Sequence, residues 1–234
     1  MIQTIKSLTD VEQDDLYSFL LDRVTPHKRQ LFDTKAKNRT QHLAVCTENL
    51  REDHNASALL RTADGFGIDQ VFALETDLPY AVQPPISKRA EKWLTISQYD
   101  KGPNRREKMI SDIVDSGYDL WAAMPSQDAV SLYDLPLEKP VCLVFGNEVH
   151  GISDSLANAC YGRFTIPMKG YMESFNVSVS LGITLGVLDY RLRDSSFTLS
   201  ERKQIQLKIK WAMETLPGGL AIVQHYLAEN DIVL

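Results

Sequence analysis

The sequence predicts an α/β fold with a mostly parallel sheet and helices on its faces. Short apolar runs of strand length alternate with helical patterns along the middle of the chain, which is typical of repeated β-α-β units. The composition, 44% hydrophobic and 24% charged among 234 residues, provides enough apolar material for a sizeable core. Polar residues and glycines follow several of the apolar runs, as in open sheets that bind ligands at their strand ends.

The first 40 residues predict two helices. Thr9 and Glu12 have the spacing of a capping box, so a helix should begin there and run to about Val24. Pro26 can open a second, basic helix, because its missing N–H costs nothing in a first helical turn.

Apolar spacing and helix caps predict the elements that follow. In chain order these are strand His42–Thr47, helix Asp53–Phe66, strand Val71–Leu74, helix Arg105–Asp115, strands Asp119–Met124 and Val141–Phe145, a short helix from a cap at Ser153 to Tyr161, strand Phe164–Met168, and helices Ser200–Thr215 and Gly219–Ala228. The chain thus divides into an N-terminal helical extension (1–40), a central α/β domain (41–193) and a C-terminal helical extension (194–234).

The segment from Val177 to Val187 fits two structures. Its apolar residues fall at every second position, which is strand periodicity. It is long for a strand, however, and Ser178, Gly182 and Gly186 would form one small-residue stripe on a helix, suited to close packing. Local pattern alone does not decide between the two.

Several classes of protein are excluded by what the sequence lacks. No run of about 18 apolar residues predicts a membrane span, and residues 1–10 do not resemble a signal peptide. The cysteines Cys46, Cys142 and Cys160 are far apart and form no CxxC pair, so we expect reduced thiols in a cytoplasmic protein and no metal site.

The charges are unevenly distributed along an acidic chain of net charge −6. Acidic residues concentrate before residue 23, and three basic runs follow. The runs are Lys28, Arg29, Lys35, Lys37 and Arg39; Lys101, Arg105, Arg106 and Lys108; and Arg202, Lys203, Lys208 and Lys210. Such patches can hold phosphates on an acidic protein, although any one run can equally be a solvated helix face.

Three clusters of polar residues lie at predicted strand ends. The first, from Asn55 to Gly67, places Arg61 in an apolar helical stretch, where its planar guanidinium suits a phosphate or a carboxylate; a structural pair with Asp64 or Glu48 is the alternative. The second is Phe-Gly-Asn-Glu-Val-His-Gly at 145–151, a carboxylate between glycines. The third is Ile-Pro-Met-Lys-Gly-Tyr-Met-Glu-Ser-Phe-Asn-Val-Ser-Val at 166–179. Its serine and asparagine can bind a ligand or merely cap a helix.

Together the three clusters resemble the signature motifs of the SpoU/TrmH branch of the SPOUT methyltransferases, in the same order over about residues 40–190. The resemblance implies an RNA 2′-O-ribose methyltransferase that uses S-adenosylmethionine. It implies a C-terminal deep trefoil knot, an exception to the rule that chains do not thread, and a helix from Val177 onward. It further implies a homodimer whose sites lie near the subunit interface.

The resemblance also assigns residues. Those implied to be catalytic are Arg61, Asn55, Glu148, Ser174 and Asn176; those implied to bind the cofactor are Ala123, Gly146, Ile166 and Phe175. Motif three has Phe175 where the family commonly has leucine. The ends of the chain resemble those of tRNA-modifying members of the branch, with Lys28 and Arg29 as RNA contacts and the D-loop guanosine of tRNA as the expected substrate.

Three other functions compete with this expectation. A ribosomal-RNA methyltransferase of the same branch usually has an additional N-terminal domain, whereas only about 40 residues precede the first predicted strand here. A non-catalytic RNA-binding knot dimer should have lost motif residues that this chain retains. An unrelated α/β nucleotide-binding enzyme should contain GxGxxG or GK[ST], and this chain has neither.

Overall fold

The computed structural model of the chain describes residues 5, 7–50, 52–75, 82–230 and 232. The chain forms two compact units. The sheet unit comprises residues 40–197, and the helical unit comprises Met1–Arg39 together with Thr198–Leu234.

The sheet unit contains one parallel sheet, in which seven strands are found among the described residues. The strands are β1 (Leu43–Glu48), β2 (Gln70–Leu74), β3 (Thr95–Tyr99), β4 (Asp119–Ala123), β5 (Val130–Ser131), β6 (Val141–Phe145) and β7 (Gly162–Thr165). Their order across the sheet is β3-β2-β1-β6-β4-β7-β5. Strands β1, β2 and β3 follow one another from the middle of the sheet to one edge. Strands β4 to β7 all lie on the other side of β1. The strand order therefore reverses between β1 and β6.

Helices cover both faces of this sheet. They are α3 (Asp53–Gly65), the single-turn α4 (Pro84–Ser87), α5 (Arg105–Asp115), the short α6 (Asp154–Ala157) and α7 (Val177–Leu192). On one face α3 and α7 bury Leu59, Leu60 and Leu185 against the sheet. On the other face α5 and α6 bury Met109 and Leu156. Both sides of the parallel strands are thus shielded from water, which explains their continuous apolar runs.

The helix predicted from the resemblance at Val177 is confirmed. Leu181, Leu185 and Leu188 are fully buried at helical spacing. The alternating pattern arises because the intervening apolar residues form a second, partly exposed face, on which Val179 is 47% exposed. Gly182 and Gly186 face α3 as the small-residue stripe suggested, with van der Waals room for a methyl group at each.

The main differences from the sequence prediction concern three strands. β7 begins at Gly162 and ends at Thr165, whereas Phe164–Met168 was expected; the shift follows from Pro167, which has no N–H for a strand ladder. β3 and β5 were not expected, because β3 mixes polar with apolar residues and β5 has only two residues. The expected helix after Ser153 is shorter and ends at Ala157.

The helical unit contains α1 (Asp10–Leu21), α2 (Pro26–Lys37), α8 (Glu201–Thr215) and α9 (Gly219–Glu229). The capping box is present, with the Thr9 backbone N–H donating to Glu12 at 2.6 Å. Helix α2 begins at Pro26, as predicted. Inside the unit, the ring of Trp211 on α8 contacts Phe32 on α2 at 5.8 Å between centroids.

Two further features of the described residues concern membranes and metal ions. In the ranges given above, no helix is long and apolar enough to cross a membrane. The same ranges contain no group of three or more His, Cys, Asp or Glu side chains placed to hold a metal ion.

Candidate active site

The candidate site lies where the strand order of the sheet reverses. In open parallel sheets, ligands bind beyond the carboxyl ends of the strands at such a point. β1 and β6 are the neighbouring strands there, paired from Leu43 with Val141 to Thr47 with Phe145. The first motif follows β1 and the second follows β6. Parallel pairing therefore brings these two motifs together at the carboxyl ends of the strands.

Three predicted side chains form one hydrogen-bonded chain at these strand ends, which we call the amide relay. Asn55 Nδ2 donates to Glu148 Oε1 at 2.7 Å, and Asn176 Nδ2 donates to Asn55 Oδ1 at 3.0 Å. Asn176 is also the N-cap of α7, and its Oδ1 accepts from the backbone N–H of Ser178 at 2.9 Å. The relay thus joins all three motifs.

The direction of the amide relay follows from its two ends. An ionised carboxylate only accepts hydrogen bonds, so Glu148 receives the NH₂ group of Asn55. At the other end, the α7 N-terminus needs an acceptor and takes Asn176 Oδ1, which turns the Asn176 NH₂ group toward Asn55. Because Asn55 is only 4% exposed, its amide is held in one orientation.

Arg61 lies on α3, as Asn55 does, but its surroundings are different. Its side chain is exposed. Across the described ranges, the salt bridges and side-chain hydrogen bonds include none formed by its guanidinium. Glu48, one of the two structural partners considered from the sequence, is instead bound to Arg106 at 3.1 Å. The charge of Arg61 is therefore available to a ligand.

The residues expected to bind the cofactor are divided by the structure into two groups. Ala123 is the last residue of β4, while Gly146 and Ile166 directly follow β6 and β7, and all three are half-buried. These strands are parallel neighbours in the sheet, so the three residues lie together at the carboxyl ends of the strands. Phe175, by contrast, is 39% exposed in the loop before α7, where Ser174 is also exposed.

Sequence reasoning missed the polar groups that fix the loop after β6. Glu48, at the end of β1, accepts from the backbone N–H of Ser153 at 2.7 Å and from its hydroxyl at 2.8 Å. Asn147 Nδ2 donates to the backbone carbonyl of Asn49 at 2.7 Å. The available signal was a glutamate at the end of an otherwise apolar strand, which has to find a partner when buried.

The three basic runs differ in how much of their positive charge is paired with carboxylates. In the third run, Arg202 binds Asp14 at 2.9 Å and Lys208 binds Asp33 at 2.8 Å. Burial opposes the charge of Lys208, but its hydrogen bonds with Asp33 and Tyr17 raise its pKa above the ordinary value. The second run contributes Arg106 to the Glu48 pair. Part of the charge in both runs is thus paired with carboxylates of the same chain.

The first run, on α2, keeps more of its charge available. Lys28 is exposed, and the salt bridges of the described residues include none to its ammonium group. Arg29 is half-buried; its Nε donates to the Val24 carbonyl at 3.0 Å, and its guanidinium lies 3.7 Å from Asp22. Of the two RNA contacts expected from the sequence, Lys28 is therefore the more accessible.

Comparison with known proteins gives the family of this chain. The model of the SpoU rRNA Methylase family matches residues 42–186, well over half of the chain and all three motifs. The chain belongs to the SpoU methylase family. This SpoU family member is 26% identical over 190 residues to a tRNA (guanosine(18)-2′-O)-methyltransferase of Borreliella burgdorferi, covering 80% of this chain and 85% of that protein.

Other relatives extend the likeness. A tRNA (guanosine(18)-2′-O)-methyltransferase of Aquifex aeolicus is 28% identical over 183 residues, covering 76% of this SpoU family chain and 85% of the relative. The crystal structure of a TrmH/SpoU tRNA modifying enzyme from A. aeolicus has a TM-score of 0.73 at 27% identity, covering 82% of this chain and 98% of that one. An AdoMet-bound rRNA methyltransferase from Sinorhizobium meliloti, 22% identical with a TM-score of 0.53 over 66% and 58% of the two chains, shares the fold.

Proposed function

We propose that this chain transfers a methyl group from S-adenosylmethionine to the ribose 2′-hydroxyl of guanosine 18 in the D-loop of tRNA. The observation that carries the proposal is the amide relay, because it joins the three family motifs where the strand order reverses. The relatives named as tRNA (guanosine(18)-2′-O)-methyltransferases support the choice of RNA and nucleotide.

The strand ends fit the proposed cofactor. Ala123, Gly146 and Ile166 offer half-buried backbone groups and apolar contacts at three adjacent strand ends, without charged side chains of their own. Backbone groups of this kind suit an adenine and a ribose. Phe175, from the loop before α7, is the proposed contact on the open side. S-Adenosylmethionine, when bound, supplies a methyl group that its sulfonium has already activated.

The protein's task is therefore to orient the hydroxyl and to stabilise the charge that develops on its oxygen. We assign the second role to Arg61, acting on the ribose oxygen and on the neighbouring phosphate. Arginine stays protonated in proteins, so a clamp suits it better than a general base does. The amide relay and Ser174 are proposed to orient the ribose against this guanidinium.

RNA binding is proposed to involve the helical unit. Lys28 and Arg29 on α2 are the proposed phosphate contacts, supported by the exposure of Lys28. Such contacts position a nucleic acid without reading its bases. We also propose a cytoplasmic location, which a tRNA substrate would support.

A homodimer and a trefoil knot complete the proposal. The second apolar face of α7 supports a protein partner, since Val179 is 47% and Tyr190 is 66% exposed there. The knot is proposed from the family membership of the chain.

The proposal is tested by labelled methyl transfer from S-adenosylmethionine to unmodified total tRNA and, separately, to ribosomal RNA, followed by mapping of the labelled nucleoside. We expect 2′-O-methylguanosine in the D-loop of tRNA. Label in ribosomal RNA would keep the chemistry and overturn the substrate. Absence of label from both RNAs, with cofactor still bound, would instead favour an RNA-binding protein without this activity.

A further inference from the structure

Glu48 is a buried carboxylate with several partners and no part in the function proposed so far. It is the last residue of β1 and is only 2% exposed. Arg106 Nη2 on α5 donates to its Oε1 at 3.1 Å, and Ser153 contributes its backbone N–H and its hydroxyl at 2.7 and 2.8 Å. Burying a carboxylate is costly unless it is paired and hydrogen-bonded, and Glu48 is both.

Ser153 is the residue at which the loop after β6 ends. It caps α6, and the loop from Gly146 to Ile152 directly precedes it. At the start of the same loop, Asn147 Nδ2 donates to the carbonyl of Asn49 at 2.7 Å. Both ends of the loop are therefore fastened to the end of β1, one through the Glu48 side chain and the other through the backbone next to it.

The loop between these anchors is tightly folded by hydrogen bonds of its own. Asn147 and Gly151 exchange two backbone hydrogen bonds, at 2.9 and 2.8 Å. Asn147 Oδ1 also accepts from the backbone N–H groups of Val149 and His150. A Cβ at Gly146 would come within 2.2 Å of the Gly151 backbone, so only glycine fits there. We expect such a loop to shift as one unit if an anchor is removed.

Two groups of the proposed site lie on this loop. Glu148 is the acceptor at one end of the amide relay, and Gly146 is one of the proposed cofactor contacts. We propose that Glu48 is a positioning residue. It holds this loop in a fixed position against the end of β1 and thereby controls the affinity for the cofactor and the orientation of the amide relay. This inference rests on the proposed methyltransferase site. Arg106 is the counter-ion that makes the buried carboxylate tolerable.

The test separates positioning from stability by a double substitution, Glu48→Leu with Arg106→Met. Replacing a buried ion pair with apolar residues of similar size is often neutral for stability. The Ser153 N–H and hydroxyl also lose their acceptor, so we expect the Tm to fall only by the loss of these two hydrogen bonds, each of which contributes modestly to stability. We therefore expect the Kd for S-adenosylmethionine, measured by calorimetry, to rise about tenfold or more, since small displacements of a site are costly. Hydrogen exchange of residues 146–153 should become faster.

A matched control is Asp69→Asn, which removes another buried carboxylate. Asp69 is 7% exposed, lies before β2 at the opposite end of the sheet, and accepts from the Thr95 hydroxyl at 3.0 Å. We expect a lower Tm with unchanged cofactor affinity. A double variant with wild-type cofactor affinity and loop exchange would overturn the positioning role. If the wild type itself bound no cofactor, the proposed function would fail, while the exchange measurement would still decide whether Glu48 anchors the loop.

Discussion

Asn55 and Arg61 lie on the same helix but in opposite situations. Asn55 is 4% exposed and hydrogen-bonded on both sides, to Glu148 and Asn176. Arg61 is exposed, and the structure assigns its charge no counter-ion among the described residues. The difference teaches that the amide groups proposed to set orientation are held by hydrogen bonds, whereas the guanidinium proposed to act on the substrate is free of them within the described residues. Substitution of a side chain without protein partners should lower activity alone. Substitution of a side chain that is hydrogen-bonded within the protein should lower the Tm as well.

Arg61→Ala should have the largest effect. Removing one preorganised group that stabilises transition-state charge typically costs about 100-fold or more in rate. Because the guanidinium is free in the protein, we expect Tm and cofactor affinity to remain at their wild-type values. The measurement combines single-turnover methyl transfer, thermal melting and calorimetry. More than about a tenth of the wild-type turnover would remove Arg61 from the proposed mechanism.

Asn55→Ala should lower both activity and stability. The change removes the two hydrogen bonds that the buried Asn55 amide makes with Glu148 and Asn176, and one such bond typically contributes about 0.5–1.5 kcal/mol to stability. We expect a Tm lower by roughly 2–4 °C for each kcal/mol, as is typical of chains of this size, and a clear reduction in transfer. The same assays used for Arg61 apply. A variant that became inactive while keeping its full Tm would place Asn55 with the free groups.

Lys28→Glu should weaken RNA binding without affecting the fold. Removing one lysine–phosphate pair reduces the slope of log affinity against log salt by about 0.9 for duplex nucleic acid. We expect weaker tRNA binding at low salt, a smaller salt slope and an unchanged Tm. Lys208→Gln is the matched control, since that lysine is held by Asp33 at 2.8 Å and its replacement should lower Tm instead. Equal RNA affinity of the Lys28 variant and the wild type at all salt concentrations would contradict the assignment.

Protonation of His42 should have the smallest effect, and it should change only the stability of the fold. His42 is buried before β1, stacks on Phe197 at 3.7 Å and shares a hydrogen bond between Nε2 and the Leu137 carbonyl at 2.8 Å. Burial lowers its pKa below the ordinary value, and the bond to Leu137 only partly opposes this. The unfolded chain therefore binds the proton more readily. Stability should be complete above the ordinary histidine pKa and decrease as pH falls below it.

Thermal melts across that pH window check this prediction, with His42→Phe as the comparison. The variant keeps an aromatic ring against Phe197 but cannot titrate, so its Tm should depend less on pH. An equal pH dependence of the two proteins would show that another group is responsible.

Local sequence signals predicted most of this fold. The capping box at Thr9, the proline at the start of α2 and the helix Arg105–Asp115 are all found where they were expected. These features depend on neighbouring residues and so can be identified in the sequence. β3 and β5 could not be predicted in this way, because their pairing with distant strands, and not an apolar run of their own, defines them.

The candidate site was predictable in its residues but not in its contacts. Asn55, Glu148 and Asn176 were identified from motifs, yet nothing in the sequence indicated the order in which they hydrogen-bond. The pair between Glu48 and Arg106 was missed because the partners are 58 positions apart in the chain and meet only through the sheet. The acidic residues before residue 23 likewise gave no sign that Asp14 would pair with Arg202.

The central claim, that Arg61 acts on the substrate through its charge, is tested most directly by comparing Arg61→Lys with Arg61→Ala in single-turnover methyl transfer across a range of pH. A lysine keeps the positive charge but not the planar fork. We expect the lysine variant to be slower than the wild type, clearly faster than the alanine variant, and unchanged in the shape of its pH dependence. If Arg61 were the base, a lysine would release its proton more readily. A profile displaced to lower pH, or a lysine variant no faster than the alanine variant, would contradict the clamp.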